Sequence, residues 1–444
     1  MDQNPDHVCH VCSEILDQNP DHICHVCSEI LDQTRVSDQI LYRHMEKTGD
    51  DLSILGYGCM RFPQKNNKID VERTKKQILF AIENGINYLD TAYIYSGSET
   101  VLGKILAGGY RDRVKLATKM PIPTILSRAD MEIVFQTQLE RLQTNRIDYY
   151  LIHNIIHFEE WERLKQIGIL EFIRKKKENK QIINIGFSFH GNLQTFKQII
   201  DDYEWDFCQI QYNYLDENFQ AGTAGLEYAA SKGLGIVVME PLRGGTLAEG
   251  FAPEIQRILD DFEIKRSPAE WGLRFVWNRP EVSVVLSGMN EEAHILENIR
   301  IASNARPNTL TAEELKMISS VKDKIREKIK VECTGCSYCM PCPFGVDIPQ
   351  CFAYYNNAYM YGGITPKIAY LMGTGGYEMP PSKASLCQEC GICETKCPQN
   401  IPIRKELKSV AKEMEKWHWR GIVRLLRWKM YRKGGGQNLR NMNR

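Results

Sequence analysis

IDYYLIHN, residues 147–154, is apolar almost throughout and closes on a histidine and an asparagine. Near-continuous apolar character is what a parallel strand buried on both faces requires. Seven more runs share it: ILGYG (54–58), INYLDTA (86–92), VKLATKM (114–120), IINIGFS (182–188), FCQIQYNY (207–214), GIVVMEPL (235–242) and VSVVLSG (282–288). The stretches between them are long enough for crossover helices. From Arg128 to Gln143, for example, Met131, Val134, Phe135, Leu139 and Leu142 recur at helical spacing. Eight β/α units predict an α/β fold, a closed (β/α)8 TIM barrel with its active site at the C-terminal ends of the strands.

The chain has 444 residues, 43% hydrophobic and 25% charged, which argues against a fibrous or wholly disordered protein. It contains no run of 18 uncharged apolar residues, so no membrane-spanning helix is expected. The first thirty residues are acidic and polar, without a basic start or an apolar core, so the expected location is cytoplasmic. Net charge is zero, yet residues 404–444 carry 13 Lys+Arg against 3 Asp+Glu, making the tail a separate electrostatic object.

Of 15 cysteines, nine lie between Cys333 and Cys397 and four in the first 27 residues. In a reducing compartment such clusters read as metal ligands rather than disulfides. Cys387, Cys390, Cys393 and Cys397 followed by Pro398 give the CxxCxxCxxxCP spacing of bacterial ferredoxins. A companion group, Cys333, Cys336, Cys339 and Cys342, precedes Pro343. Two groups predict a small ferredoxin-like dicluster iron-sulfur domain after the barrel. In two-cluster ferredoxins the fourth cysteine of a run serves the other cluster. Cys333, Cys336, Cys339 and Cys397 are therefore assigned to one [4Fe–4S] cluster, and Cys387, Cys390, Cys393 and Cys342 to the other. A pair of zinc sites, each held by four cysteines, is the bland alternative. Cys351 reads as a spare buried thiol, and Cys59 and Cys208 as core thiols.

Residues 2–16 and 17–31 are a tandem duplication differing only at Val8 and Ile23. Its CxxC pairs, Cys9 with Cys12 and Cys24 with Cys27, suit Zn²⁺; a duplicated flexible leader fits the repeat equally. At the other end Leu407, Val410, Ala411, Met414, Trp417, Ile422, Leu425 and Trp428 fall on one helical stripe. A basic amphipathic tail of this kind either contacts an anionic membrane surface or partner, or packs as a terminal helix on its own protein. The chain offers no nucleic-acid recognition fold, so none is expected to bind.

Three strand runs lead into four ionisable groups: Asp90 in LDTA, Tyr95 five residues on, Lys119 in ATKMP and His153 in LIHN. With ILGYGCMRFP, YLDTAYIYSGSETVLGK, NIGFSFHG, QIQYN and VVMEPLRGG, they make residues 41–408 resemble the aldo-keto reductase family, in its bacterial branch with a C-terminal ferredoxin-like domain. The resemblance implies NADPH- or NADH-dependent reduction of a small carbonyl substrate by a tetrad of Asp90, Tyr95, Lys119 and His153. Hydride addition builds negative charge on the carbonyl oxygen, and Tyr95 would protonate it, helped by the Lys119 ammonium. Asp90 would hold Lys119 while His153 orients the oxygen.

The same resemblance implies that Ser188 and Gln209 hold the nicotinamide carboxamide, with Gly58, Met239 and Leu242 nearby. Ser287, Gly288, Asn290, His294, Glu297 and Asn298 would line the phosphate and adenine end. Three positions depart from the family pattern: Phe189 replaces an Asn, Met239 replaces the aromatic that stacks on nicotinamide, and His294 stands where an Arg would grip a 2′-phosphate. A His grips less firmly and only when protonated, which weakens the case for strong NADPH preference. Arg243, Gly244 and Gly245 either cover the pyrophosphate or form a plain turn.

The expected organisation is an N-terminal extension (1–40), the barrel (41–310), a helical linker (311–332), the iron-sulfur domain (333–403) and the basic tail (404–444). Nicotinamide delivers two electrons as hydride whereas each cluster accepts one, so coupling the modules calls for a flavin or a redox protein partner. The alternative to a carbonyl-reducing enzyme is a non-catalytic, nicotinamide-sensing subunit whose iron-sulfur module and tail dock a redox partner complex.

Overall fold

The computed structural model of the chain describes residues 39–66, 68–248, 251–360, 364–371, 373–374 and 381–416. The duplicated CxxC pairs and the tail from residue 417 onward lie outside the described residues. A short antiparallel hairpin, β1 (Tyr42–Met45) with β2 (Asp50–Ser53), opens the fold. Eight parallel strands follow: β3 (Leu55–Gly58), β4 (Tyr88–Asp90), β5 (Lys115–Pro121), β6 (Ile147–Ile155), β7 (Ile182–Phe189), β8 (Phe207–Gln211), β9 (Gly235–Met239) and β10 (Val284–Ser287). Each falls within or within two residues of one of the apolar runs. They pair in sequence order around a closed barrel, β10 returning to β3.

Strand periodicity sorts the side chains into two cores. Along β6, Tyr149 and Leu151 point into the barrel with Tyr88, Ala117, Phe207, Val237 and Val284, while Tyr150 and Ile152 point out into the helical layer. Tyr88, Tyr149 and Phe207 fill the lower interior edge to face, with ring centroids 5.1 and 5.0 Å apart. The hairpin plugs the end below them: Met45 and Leu52 join the interior core, and Asp50 accepts from the Tyr149 hydroxyl at 2.7 Å. A Cβ on Gly235 would collide with the Met45 sulfur, so this strand must begin with glycine for the plug to seat.

The helix Arg128–Leu142 shows how the outer layer is specified. Ser127 and Asp130 form a capping box, and the five apolar residues at helical spacing are its buried face. After β10, Thr311 and Glu314 cap the helix Ala312–Lys328 in the same way. That helix buries Met317, Ile318, Val321 and Ile325 in the barrel's own core.

A separate core, apart from the two of the barrel, begins at Val331. The helix Ile348–Met360 brings Cys351, Phe352 and Tyr355 to it, and the helix Ile403–Met414 adds Ile403, Leu407, Val410 and Met414. The described part of the basic tail is thus a helix packed on its own protein. Cys351 is buried there, its thiol near the Ser382 carbonyl, and Cys59 and Cys208 are fully buried in the barrel.

The cysteine domain sits over the C-terminal mouth of the barrel. Arg243, 3% exposed, pairs with Asp216 at 3.4 Å and with Glu332. Its guanidinium therefore anchors the domain junction instead of reaching for a pyrophosphate. Gln399 donates to Gln211 at 2.8 Å, and Gln220 donates to the Pro398 carbonyl at 3.2 Å. At Gly244 (φ +68°) the domains approach so closely that a Cβ would collide with the Thr334 carbonyl oxygen.

Candidate active site

Asp90, Lys119 and His153 lie two residues beyond the interior core residues Tyr88, Ala117 and Leu151. A period of two places them in the next interior layer up, at the mouth where strand ends converge. All three are buried, Lys119 to 1% exposure. Lys119 Nζ donates to Asp90 Oδ1 at 2.5 Å and to the Thr91 carbonyl at 2.7 Å. It also lies 5.3 Å from the centroid of the Tyr95 ring, which the loop after β4 carries over the pair. The Tyr95 and His153 rings meet edge to face at 6.0 Å.

Burial dominates the electrostatics. It pushes the Tyr95 hydroxyl well above its ordinary value, with Tyr338 and Asp90 adding to the effect, so Tyr95 holds its proton. Burial also pushes His153 well below its ordinary value, reinforced by Lys119 and His190, leaving a neutral imidazole. Asp90 is raised by burial against the pull of Lys119 and Gln209. The site therefore offers a neutral phenol and a neutral imidazole above a buried ion pair.

A cavity of about 430 Å³ opens beside these groups. Of the eleven residues the sequence points to for nicotinamide, ten line it: Gly58, Gln209, Met239, Leu242, Ser287, Gly288, Asn290, His294, Glu297 and Asn298. Ser188 stands behind this wall, in register with Gln209, and its hydroxyl accepts from the Asn154 amide at 2.7 Å. Gln209 Oε1 and Asp90 Oδ2 are buried without hydrogen-bond partners, polar atoms turned toward a space that a carboxamide suits. Asn298 donates to Ser287 at 3.0 Å, and Glu297 accepts from Ser267 at 2.5 Å. Phe189 is buried in the aromatic layer against Phe187 and Phe196, because the strand turns the residue after Ser188 outward.

Residues that sequence reasoning passed over also line the cavity: Arg61, His190, Glu240 and Tyr338, together with the expected cluster ligand Cys336. Glu240 follows Met239 at the end of β9 with a left-handed backbone (φ +54°). Burial raises its carboxyl to about 7, and Oε2 is unpartnered. His190 bonds Gln220 at 3.1 Å, and burial lowers it to about 4. Tyr338, inside CSYC of the cysteine run, meets His153 Nε2 at 3.1 Å. No local sequence signal marks a residue that arrives from another domain.

The eight cysteines ring two further cavities. Cys333, Cys336, Cys339 and Cys397 line one; Cys339, Cys342, Cys387, Cys390 and Cys393 line the other. Among the described residues no group of three or more His, Cys, Asp or Glu converges on a single-ion site. Thiols spaced around a void suit the corners of a cubane, and soft thiolate is the donor iron-sulfur clusters take. Burial lifts the thiol of Cys333 to about 11 and that of Cys336 to about 12, so ligation must displace their protons. Cys336 lines both its cluster cavity and the cavity beside Tyr95.

Barrel, mouth and cysteine domain define an oxidoreductase class. The aldo/keto reductase family matches residues 54–323, and a 4Fe-4S dicluster domain matches residues 332–410. The chain belongs to the aldo/keto reductase family and carries a 4Fe-4S dicluster domain after its barrel. Uncharacterized oxidoreductase YrpG of Bacillus subtilis is 28% identical over 231 residues, 46% of this chain and 68% of that one. Uncharacterized oxidoreductase YqkF of the same organism is 25% identical over 305 residues, 61% and 92% of the two chains. The fold is also that of aldo-keto reductase AKR11C1 from Bacillus halodurans, with a TM-score of 0.53 at 24% identity over 64% of this chain and 96% of that one.

Proposed function

We propose that the barrel reduces a small aldehyde or ketone with NADPH or NADH, with Asp90, Tyr95, Lys119 and His153 as its tetrad. The observation that carries this reading is the buried Lys119–Asp90 pair at 2.5 Å beneath the Tyr95 ring, at one end of a cavity lined by the expected nicotinamide contacts. A bound reduced nicotinamide supplies the hydride. Tyr95, held protonated by burial, gives its proton to the developing alkoxide, and Lys119 offsets the charge left on the phenolate. His153 orients the carbonyl oxygen through Nε2. Asp90 holds the Lys119 Nζ in place beneath the Tyr95 ring. Gln209 Oε1 would hold the carboxamide, with Ser188 behind it on the Asn154 amide, and Met239 would face the nicotinamide ring where the family has an aromatic.

Cys333, Cys336, Cys339 and Cys397 would hold one [4Fe–4S] cluster, and Cys342, Cys387, Cys390 and Cys393 the other. Such clusters pass single electrons, which fits exchange with a redox protein partner. Tyr95→Phe tests the carbonyl reading: turnover of a small aldehyde should fall by about 10²-fold or more while nicotinamide affinity, read by fluorescence, stays unchanged. Turnover equal to the parent would reject the tetrad.

A further inference from the structure

Tyr338 sits on the cysteine-bearing loop between Cys336 and Cys339, 185 residues beyond His153, yet its hydroxyl lies 3.1 Å from His153 Nε2. Its ring meets the imidazoles of His153 and His190 edge to face at 6.0 and 6.3 Å. The partner of an orienting imidazole whose ring meets that of the proton donor, as His153 meets Tyr95 at 6.0 Å, marks the place where a reacting carbonyl oxygen has to stand. Here that place is taken by a phenol from the other domain.

We infer that Tyr338 is a specificity-determining occupant of the carbonyl seat: its hydroxyl stands in for the substrate oxygen, and a substrate binds by displacing it. The inference rests on the carbonyl reading for the role of the seat, and on geometry alone for its occupancy. The domain contacts explain why the occupant is held. Arg243 with Glu332, Gln399 with Gln211 and the close approach at Gly244 fix the loop against the mouth. A substrate must then displace the Tyr338–His153 hydrogen bond, and its apparent affinity falls by the fraction of time the seat is vacated. Narrow carbonyls that enter beside the ring are favoured over ones that require the whole loop to lift.

The test uses full-length, anaerobically purified protein with its iron content counted, as Tyr338→Phe and Tyr338→Ala. Phe keeps the ring and removes only the oxygen. It carries the test alone if the Ala variant loses iron. Calorimetric titration with acetate, a small oxyanion, in saturating NADP⁺ should show binding about tenfold tighter in the variants. KM for a small aldehyde should fall similarly in Tyr338→Phe with kcat unchanged. Unchanged acetate affinity, or a fall in kcat at constant KM, would overturn the inference. Tighter acetate binding in the variants with no turnover in any chain, parent included, would uphold the occupied seat and reject the carbonyl reading instead.

Discussion

His153, at the end of a barrel strand, and Tyr338, on a loop held between two expected cluster cysteines, share a 3.1 Å hydrogen bond. Through that contact, and through Cys336 in the wall of the same cavity, the two domains meet at the chemistry. The 4Fe-4S dicluster domain therefore forms part of the wall of the cavity that Asp90 and Tyr95 line.

The Asp90–Lys119 pair is buried on both sides. Asp90→Asn should lower stability by about 3–5 kcal/mol in urea unfolding, because it strands a buried ammonium. The double replacement Asp90→Asn with Lys119→Met should recover much of that loss while remaining inactive. Equal stability of parent and single variant would show that Lys119 is not charged in the folded protein.

The cavity linings predict which cysteine serves which cluster. Cys397→Ser should cut iron from about eight to about four per chain and leave the signal of the cluster held by Cys342, Cys387, Cys390 and Cys393. Cys342→Ser should do the converse. Iron analysis with low-temperature electron paramagnetic resonance reads both, and the same residual signal from the two variants would reject the crossed assignment.

His190 is buried neutral, lowered to about 4 from its ordinary 6.5. The unfolded chain then binds the extra proton first, so its stabilising contribution is present above about pH 6.5 and is lost as pH falls toward 4. Between about pH 7.5 and about pH 5.5 the parent should lose about 1 kcal/mol more stability than His190→Gln. Parallel urea midpoints for the two proteins across that range would contradict the burial.

Gly244, at φ +68°, lets the backbone of the barrel pass close against the Thr334 carbonyl of the cysteine domain. Gly244→Ala should weaken docking of the cysteine domain by about 1–3 kcal/mol, through strain and the contact with Thr334. Faster loss of iron to a chelator would report it, and an unchanged rate would mean the junction yields elsewhere.

The barrel was legible because its information is local. Strand runs, helical spacing and capping residues each act within a few positions, and the period of two that carries Tyr149 and Leu151 inward also carries His153 to the mouth. The cysteine spacing was legible for the same reason, since three close thiolates can face one void on a short loop. The hairpin under the barrel was not legible: YRHM and DDLS are short and polar, and only Met45 and Leu52 reaching the interior make them a plug. Arg243 read equally well as a phosphate contact or a turn until Glu332 and Asp216 were brought beside it.

From sequence alone came the eight-stranded barrel and the dicluster domain, because periodicity and spacing encode them within short windows. Tertiary structure alone brought Tyr338 to within 3.1 Å of His153 and made Cys336 part of the cavity wall. Contacts across nearly two hundred residues depend on how two separately packed cores dock. That docking is set by scattered pairs such as Gln399 with Gln211, which leave no pattern along the chain.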